Sequence, residues 1–267
     1  MFLPRRRPTT RSPAGWWILP SLPLALFILL PLAALVWRAS PRMVLQHLQD
    51  PAVTQAIFLS LRTSVAATVL AALLGTPLAY LLARRHLPGR RLLETLLDLP
   101  LVLPPAVAGV ALLMAFGRRG IAGIYLANAG LELTFTAVAV VLAQLFVASP
   151  FFLRAAMLGF SAVDEELAQA AALDGAGEWA LFRHVILPLS RPALLGGAVL
   201  SWARALGEFG ATIIFAGNLP GRTQTMPLAI YLGFELDLDV ALTLSVILLG
   251  ISFLVLVSVR SLPFEER

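Results

Sequence analysis

Residues 169–188 read QAAALDGAGEWALFRHVILP. The charges of Asp174, Glu178, Arg183 and His184 make this stretch too polar to cross a bilayer, and its regularity makes it too patterned for a slack linker. Ahead of it, Asp164, Glu165 and Glu166 fall in a first helical turn, where the dipole favours acids. Ala168, Ala170, Ala171 and Ala172 are strong helix formers, so a helix is expected over 164–173. Gly175 and Gly177 break it. A second helix is expected over 178–186, with Trp179, Phe182, Val185 and Ile186 on one apolar stripe and Pro188 as its stop. The alanines give a narrow, smooth surface that suits docking in a groove of another protein. The alternative is an amphipathic segment lying on lipid; the acidic start argues against it, because such helices favour basic faces.

Outward from this stretch the chain is mostly apolar. Its 267 residues are 59% hydrophobic and 13% charged, with a mean hydropathy of +0.86. Soluble domains run at about 45–50% apolar and about 25% charged. Six spans match the ~20 apolar residues that a helix needs to cross a bilayer: 16–37, 57–83, 92–116, 134–153, 192–216 and 240–259. The first follows Arg5, Arg6, Arg7 and Arg11, as a signal peptide would. It is long, ends in Val36-Trp37-Arg38 and lacks a small-x-small cleavage site, so it reads as a retained helix. The expected fold class is all-α: a polytopic membrane protein of six transmembrane helices, one domain over 1–267.

Arginine placement sets the orientation. With the N-terminus inside, the segments 1–15, 84–91, 154–191 and 260–267 hold thirteen arginines. The outer segments hold five (Arg38, Arg42, Arg118, Arg119, Arg222), and Arg62 and Arg204 lie inside spans. Both termini are therefore expected in the cytoplasm, and 154–191 becomes the longest cytoplasmic loop. The net charge of +5 resides in these short clusters, which read as topology signals and not as a phosphate-binding face. The bilayer is an expected partner; nucleic acid is not.

Enzyme chemistry finds little footing. The chain has no cysteine, which excludes disulfides, thiolate metal sites and a cysteine nucleophile. It has no lysine, which excludes a P-loop lysine and Schiff-base chemistry. His47, His86 and His184 fall in separate non-membrane segments without paired metal spacing. Glu94 and Asp98 read as solvated or capping groups and not as a catalytic pair. No catalytic residue, metal ligand or cofactor is expected on this chain.

Two constellations stand out in and beside the fifth span. Arg204 and Glu208 are four apart and share a helix face. A charge inside a span costs roughly 2.5–3.5 kcal/mol on insertion scales. The two either neutralise each other or, with Thr212 beyond them, line a polar path or lock a gate between subunits. Gly207 and Gly210 allow close helix approach. The segment 217–226, GNLPGRTQTM, carries a turn signal at Pro220-Gly221. Its Asn218, Arg222, Thr223, Gln224 and Thr225 place one charge and several hydrogen-bonding groups near the outer mouth. That suits a divalent oxyanion in passing or a docking protein; a plain surface loop is the other reading. Pro100, Pro104 and Pro105 kink the third span, either to shape a central cavity or as a static bend. No inverted repeat is visible, which weakens a secondary-transporter reading.

The stretch 169–188 resembles the "EAA" loop of ABC-importer permeases, Glu-Ala-Ala, three residues, Gly, nine residues, Ile-x-Leu-Pro. Ala170, Ala171, Gly175, Leu187 and Pro188 match at the right spacing, and Asp174 fits before the glycine. Gln169 stands where the pattern has glutamate, which removes a charge but keeps hydrogen bonding, and Val185 stands where it has isoleucine. The segment RALGEFGATIIFAGNLPGRTQTMPLAIY (204–231) resembles the permeases of molybdate/tungstate ABC importers, as does LPLVLPPAVAGVALLMAFGRRG (99–120). Sulfate permeases have similar loops.

The resemblance implies the type I ABC-importer permease fold, with 154–191 as the coupling loop that sits in a cleft of an ATPase subunit. It implies a homodimer, two ATPase subunits carrying ATP-Mg, and a periplasmic or extracellular oxyanion-binding protein, in the cytoplasmic (inner) membrane of a bacterium or archaeon. The expected function is ATP-driven import of an oxyanion, molybdate or tungstate, by alternating access. A sulfate/thiosulfate-type permease is the near alternative, and an ion-coupled secondary transporter using Arg204 and Glu208 the distant one.

Overall fold

A computed structural model describes residues 15–85 and 87–261. The expected topology signals at Arg5, Arg6, Arg7, Arg11 and Arg267, and His86, lie outside the described residues, as does the side chain of Arg260. Among the described residues every regular element is a helix. In chain order these are α1 (Gly15–Arg38), α2 (Pro41–His47), α3 (Pro51–Arg84), α4 (Arg90–Val102), α5 (Pro105–Phe116), α6 (Gly123–Asn128) and α7 (Ala137–Ser161). They continue as α8 (Glu165–Leu173), α9 (Glu178–Leu181), α10 (Leu187–Leu206), α11 (Gly210–Phe215), α12 (Met226–Leu236) and α13 (Leu238–Ser261). Five helical stretches are long and apolar enough to cross a membrane: 19–38, 51–84, 137–161, 178–206 and 238–258. The bent pair α4–α5 makes a sixth if it is counted as one broken span.

The count agrees with the six expected spans, but two spans differ in kind. The third, expected as one kinked helix over 92–116, is broken: α4 and α5 meet at 117°. The cause is the Pro104-Pro105 pair. A residue before proline is driven out of the α region, and this applies twice in succession. Leu103 sits at φ −63°, ψ 135° and Pro104 at φ −54°, ψ 134°, both extended at ψ. Pro105 then opens α5 at a position where its missing N–H costs nothing.

The fifth span, expected over 192–216, instead runs from Glu178 to Leu206 as one 29-residue helix and stops at Gly207, with α11 as a separate piece. Pro188 does not end the helix that precedes it. Residues Phe182–Ile186 form a π-turn in which the Leu187 N–H donates to the Phe182 carbonyl, so the helix widens just before the proline and continues. A wider turn accommodates a ring that would otherwise clash with the carbonyl one turn back.

The centre of the molecule is α7, packed against α3 on one side and α10 on the other. Ala67, Ala148 and Ala205 fill the place where the three meet. The α7–α10 seam is made of small residues. A Cβ at Gly197 would lie 2.6 Å from the Ala155 Cβ, and one at Gly159 would lie 2.5 Å from the Ala193 Cβ. Ser190 Oγ donates to the Gly159 carbonyl at 3.1 Å and Ser201 Oγ to the Ala148 carbonyl at 3.0 Å. Helices in lipid gain nothing from hiding apolar surface from one another, so close backbone approach and interhelical hydrogen bonds hold them together.

The 34-residue α3 is about 51 Å long at 1.5 Å per residue, against a hydrocarbon core of about 30 Å. Its two ends therefore belong to opposite faces of the molecule. Arg84 stands at the face that carries α8; Pro51 stands at the other, with α2 and the α12–α13 junction.

Gly197→Leu is expected to overpack the α7–α10 seam and cost about 1–3 kcal/mol, more than the ~1 kcal/mol that leaving glycine returns in helix propensity. A lowered thermal-unfolding midpoint of the purified chain in detergent checks this; an unchanged midpoint would mean the seam is loose.

Candidate functional site

At the α8 face the chain makes a projecting helix on a fixed root. Asp164 Oδ1 accepts the Glu166 N–H at 3.0 Å and caps the start of α8. At its end the Ala176 N–H donates to the Ala171 carbonyl at 3.0 Å, with Gly175 between them at φ +86°. This is a Schellman stop, and it needs a residue that tolerates the left-handed region. α8 makes its contacts with α9 and the π-turn. Gln169, Ala170, Asp174 and Gly175 are exposed, and Ala171 is half-buried.

The root is held much more firmly. Arg84 Nη2 donates to the Val163 carbonyl at 2.6 Å, and Arg85 pairs with Glu178. That partner raises the Arg85 guanidinium above its ordinary value, by the hydrogen bond first and by charge second. Tyr80, Phe160, Phe182 and Trp179 form an aromatic chain, with centroids 4.9 Å apart for Tyr80–Phe182 and 5.7 Å for Trp179–Phe182. Ile186 is buried in the same cluster. Leu187 and Pro188, grouped with the projecting residues by sequence, belong to this root instead: they start α10 and are half-buried.

The second site is a corner where two helix breaks meet. A Cβ at Gly210 would lie 2.5 Å from the Pro105 Cβ, and one at Gly109 would lie 2.7 Å from the Ile214 Cβ. The break after α10 thus presses on the break before α5. Glu208 sits in this corner, 1% exposed, with Oε2 at 2.7 Å from Arg204 Nη1. Its other oxygen accepts the Ala211 N–H at 2.8 Å, at the start of α11. Glu208 therefore neutralises Arg204 and fixes the start of α11 at once. Thr212 is buried, and its hydroxyl has no protein partner among the described residues.

The segment 217–226, expected as a hydrophilic outer loop, is largely folded inward. Thr223, Gln224 and Thr225 are buried, and Arg222 is exposed. Thr223 Oγ1 accepts the Leu219 N–H at 3.0 Å, so it serves the turn. Asn218 Oδ1, Gln224 Nε2 and Thr225 Oγ1 are buried without protein partners. The Met226 N–H donates to Ser60 Oγ on α3 at 2.6 Å, which ties the segment to the bundle. Short side-chain polarity predicted exposure here; the tight turn around the Leu219 carbonyl, which accepts from residues 222, 223 and 224, explains the burial.

Sequence reading passed over several residues. Gln144 is fully buried in α7 with both amide atoms unpaired; a lone amide in an apolar run was its only signal. Asp98 pairs with Arg154 across α4 and α7, and Glu94 with Arg90 at 2.6 Å, so both acids are ion-paired and not merely solvated. His47, with no metal spacing in sequence, has its ring nitrogen grouped within 4.8 Å of carboxylate oxygens of Asp237 and Asp239. Helix ends account for this grouping: Asp237 Oδ1 caps α13 by accepting the Asp239 N–H at 3.0 Å, and Asp239 lies in the first turn.

Five candidate membrane spans, a bent helix pair, a projecting helix on its root and a polar corner within the bundle describe a polytopic helical membrane protein. The chain belongs to the family described as the binding-protein-dependent transport system inner membrane component, whose profile matches residues 75–261. It is 41% identical to the molybdenum transport system permease protein ModB of Mycobacterium tuberculosis, over 91% of this chain and 92% of that one. It is 35% identical to the sulfate transport system permease protein CysT of Escherichia coli, over 90% of this chain and 88% of that one. Its fold matches a chain of a bacterial ABC transporter involved in the import of the acidic polysaccharide alginate, with a TM-score of 0.72 at 16% identity, covering 94% of this chain and 96% of that one.

Removing one member of a buried ion pair costs about 3–5 kcal/mol, because the other charge is left uncompensated. Arg204→Ala is expected to lose an amount of that order in detergent unfolding. Adding Glu208→Gln should recover much of it, since the amide keeps an acceptor for Ala211 and removes the charge. A double variant as unstable as the single one would contradict this account of the corner.

Proposed function

We propose that this chain is the transmembrane permease subunit of an ATP-driven importer that moves molybdate or tungstate by alternating access. A separate ATPase subunit binds ATP-Mg and docks on α8 through Gln169, Ala170, Ala171, Asp174 and Gly175, with Leu187 and Pro188 in the root behind them. Two copies of this chain work with two ATPase subunits, and an external binding protein delivers the oxyanion. The α8 face and both termini lie in the cytoplasm of a bacterial or archaeal cell, and 1–267 acts as one permease domain. The observation that carries this reading is α8 itself: an exposed helix with few contacts of its own, joined to the bundle through an aromatic and ion-paired root. Such a part transmits displacement, which a rigid-body switch between two states requires.

For the substrate, the similarity to the molybdenum permease, at 41%, exceeds that to the sulfate permease, at 35%, and both favour a divalent tetrahedral anion. Arg204, Glu208, Thr212, Asn218, Arg222, Thr223, Gln224 and Thr225 are the path or gate residues of this reading. Thr223 and Glu208 act through structure, by holding the turn and the corner. Ion coupling through Arg204 and Glu208 finds less support, because each is already committed to the other.

In vesicles holding the complex with its ATPase and binding protein, molybdate or tungstate is expected to stimulate ATP hydrolysis more strongly than sulfate. Stimulation by sulfate alone would move the assignment to the sulfate type. Uptake driven by an ion gradient without ATP would remove the importer reading altogether. Gly175→Val strains the left-handed stop by about 1–2 kcal/mol, yet its side chain meets open space. Membrane insertion should therefore persist while ATP-driven uptake falls several-fold; wild-type uptake by this variant would deny the coupling role.

A further inference from the structure

Arg62 lies inside a membrane span and meets no carboxylate. It stands about 17 Å along α3 from Pro51, at 1.5 Å per residue. Its guanidinium takes part in no ion pair or hydrogen bond among the described residues; its contact is with the Phe58 ring, 5.6 Å from the centroid. The side chain is exposed on the surface of the single chain. At the bilayer centre a charge costs roughly 2.5–3.5 kcal/mol, and less nearer its edge, while an exposed cation–π contact returns only about 0.5–1 kcal/mol. Charged groups inside spans therefore face a protein interior or water and not lipid tails.

The surface around Arg62 is concave and partly polar. A concavity of about 380 Å³ is lined by Thr54, Gln55, Phe58, Leu59, Arg62 and Gly221, with no carboxylate among them. Gly221 is pressed onto α3, since a Cβ there would lie 2.9 Å from Gln55 Oε1, and the next residue is the exposed Arg222. The wall thus offers a guanidinium fork, a hydroxyl and a carboxamide. A guanidinium matches the oxygens of an oxyanion with two parallel donors. One chain supplies an open wall. A second copy related by a two-fold axis supplies the facing wall, and two Arg62 side chains then set two positive charges against one dianion.

We propose that Arg62 of each of two copies, flanked by Thr54 and Gln55, lines the passage and holds the divalent oxyanion on its way through. This rests on the reading of the chain as a dimeric oxyanion permease.

The chain has no cysteine, so Arg62→Cys introduces its single thiol, and Arg42→Cys, in an exposed segment, supplies the reference. In vesicles holding the assembled complex, a charged membrane-impermeant methanethiosulfonate should modify the Arg62→Cys variant within tenfold of the reference rate. Arg62→Gln should lower molybdate-stimulated ATP hydrolysis at least tenfold at unchanged complex assembly, and Arg62→Lys should keep most of it. An Arg62→Cys thiol that reacts only with a lipid-soluble maleimide overturns the proposal, as does an Arg62→Gln complex with the wild-type KM for molybdate uptake. Absence of stimulation by any oxyanion in the wild-type complex overturns the oxyanion reading itself. A responsive wild type beside an unaffected Arg62→Gln overturns only the role of Arg62.

Discussion

A bilayer interior offers no hydrogen-bond partner, so a helix that breaks within it must have its break covered by protein. This chain bends one apolar helix pair at Pro104-Pro105, ends another span after Leu206, and packs the two places against each other. Gly210 lets the second break approach Pro105 to contact distance, and Gly109 lets α5 lie against α11. The Glu208 carboxylate then takes an N–H at the start of α11 and cancels the Arg204 charge. Backbone polarity, side-chain charge and steric fit are thus resolved at one corner.

Mechanics at the opposite face follow from unequal fixation. The start of the 178–206 helix is held by Arg85, by the aromatic chain around Phe182 and by buried Ile186. α8 ahead of it is held by its own caps and by α9 and the π-turn. α8 is thus joined to the bundle beside Glu178 and Phe182, and from there one helix runs on to the Arg204 corner. Had Pro188 ended the helix, that path would have been severed after two turns. The π-turn keeps it whole, and it is the link between the α8 projection and the polar corner.

Much of this was legible in residue types. Span number follows from apolar length, and the stop of α8 follows from Asp-Gly-Ala-Gly, because left-handed backbone has few alternatives to glycine. The corner pair was legible from i, i+4 spacing alone. What escaped has a common cause: it depends on neighbours distant in sequence. The Pro-Pro break looked like a kink because Gly210, which covers it, is about a hundred positions later. Thr223, Gln224 and Thr225 looked exposed because their polarity is local and the Ser60 hydroxyl that anchors Met226 is not. Gln144 carried no pattern, and its isolation appears only when α7 is surrounded.

Buried polar groups divide the molecule into a settled part and an unsettled one. Along the α7–α10 seam, Ser190 and Ser201 have their carbonyls, and on α3 Thr63 and Ser64 have theirs. At Gln144, Thr212, Asn218, Gln224, Thr225 and Thr243, and at Arg84 Nε and Trp202 Nε1, buried atoms have no protein partner among the described residues. Each such group costs about 1–3 kcal/mol in this arrangement, and the cost is returned by any arrangement that supplies a partner. A change of state that left the seam intact and re-paired the groups around α11 and the 217–226 segment would gain polar contacts and lose little packing.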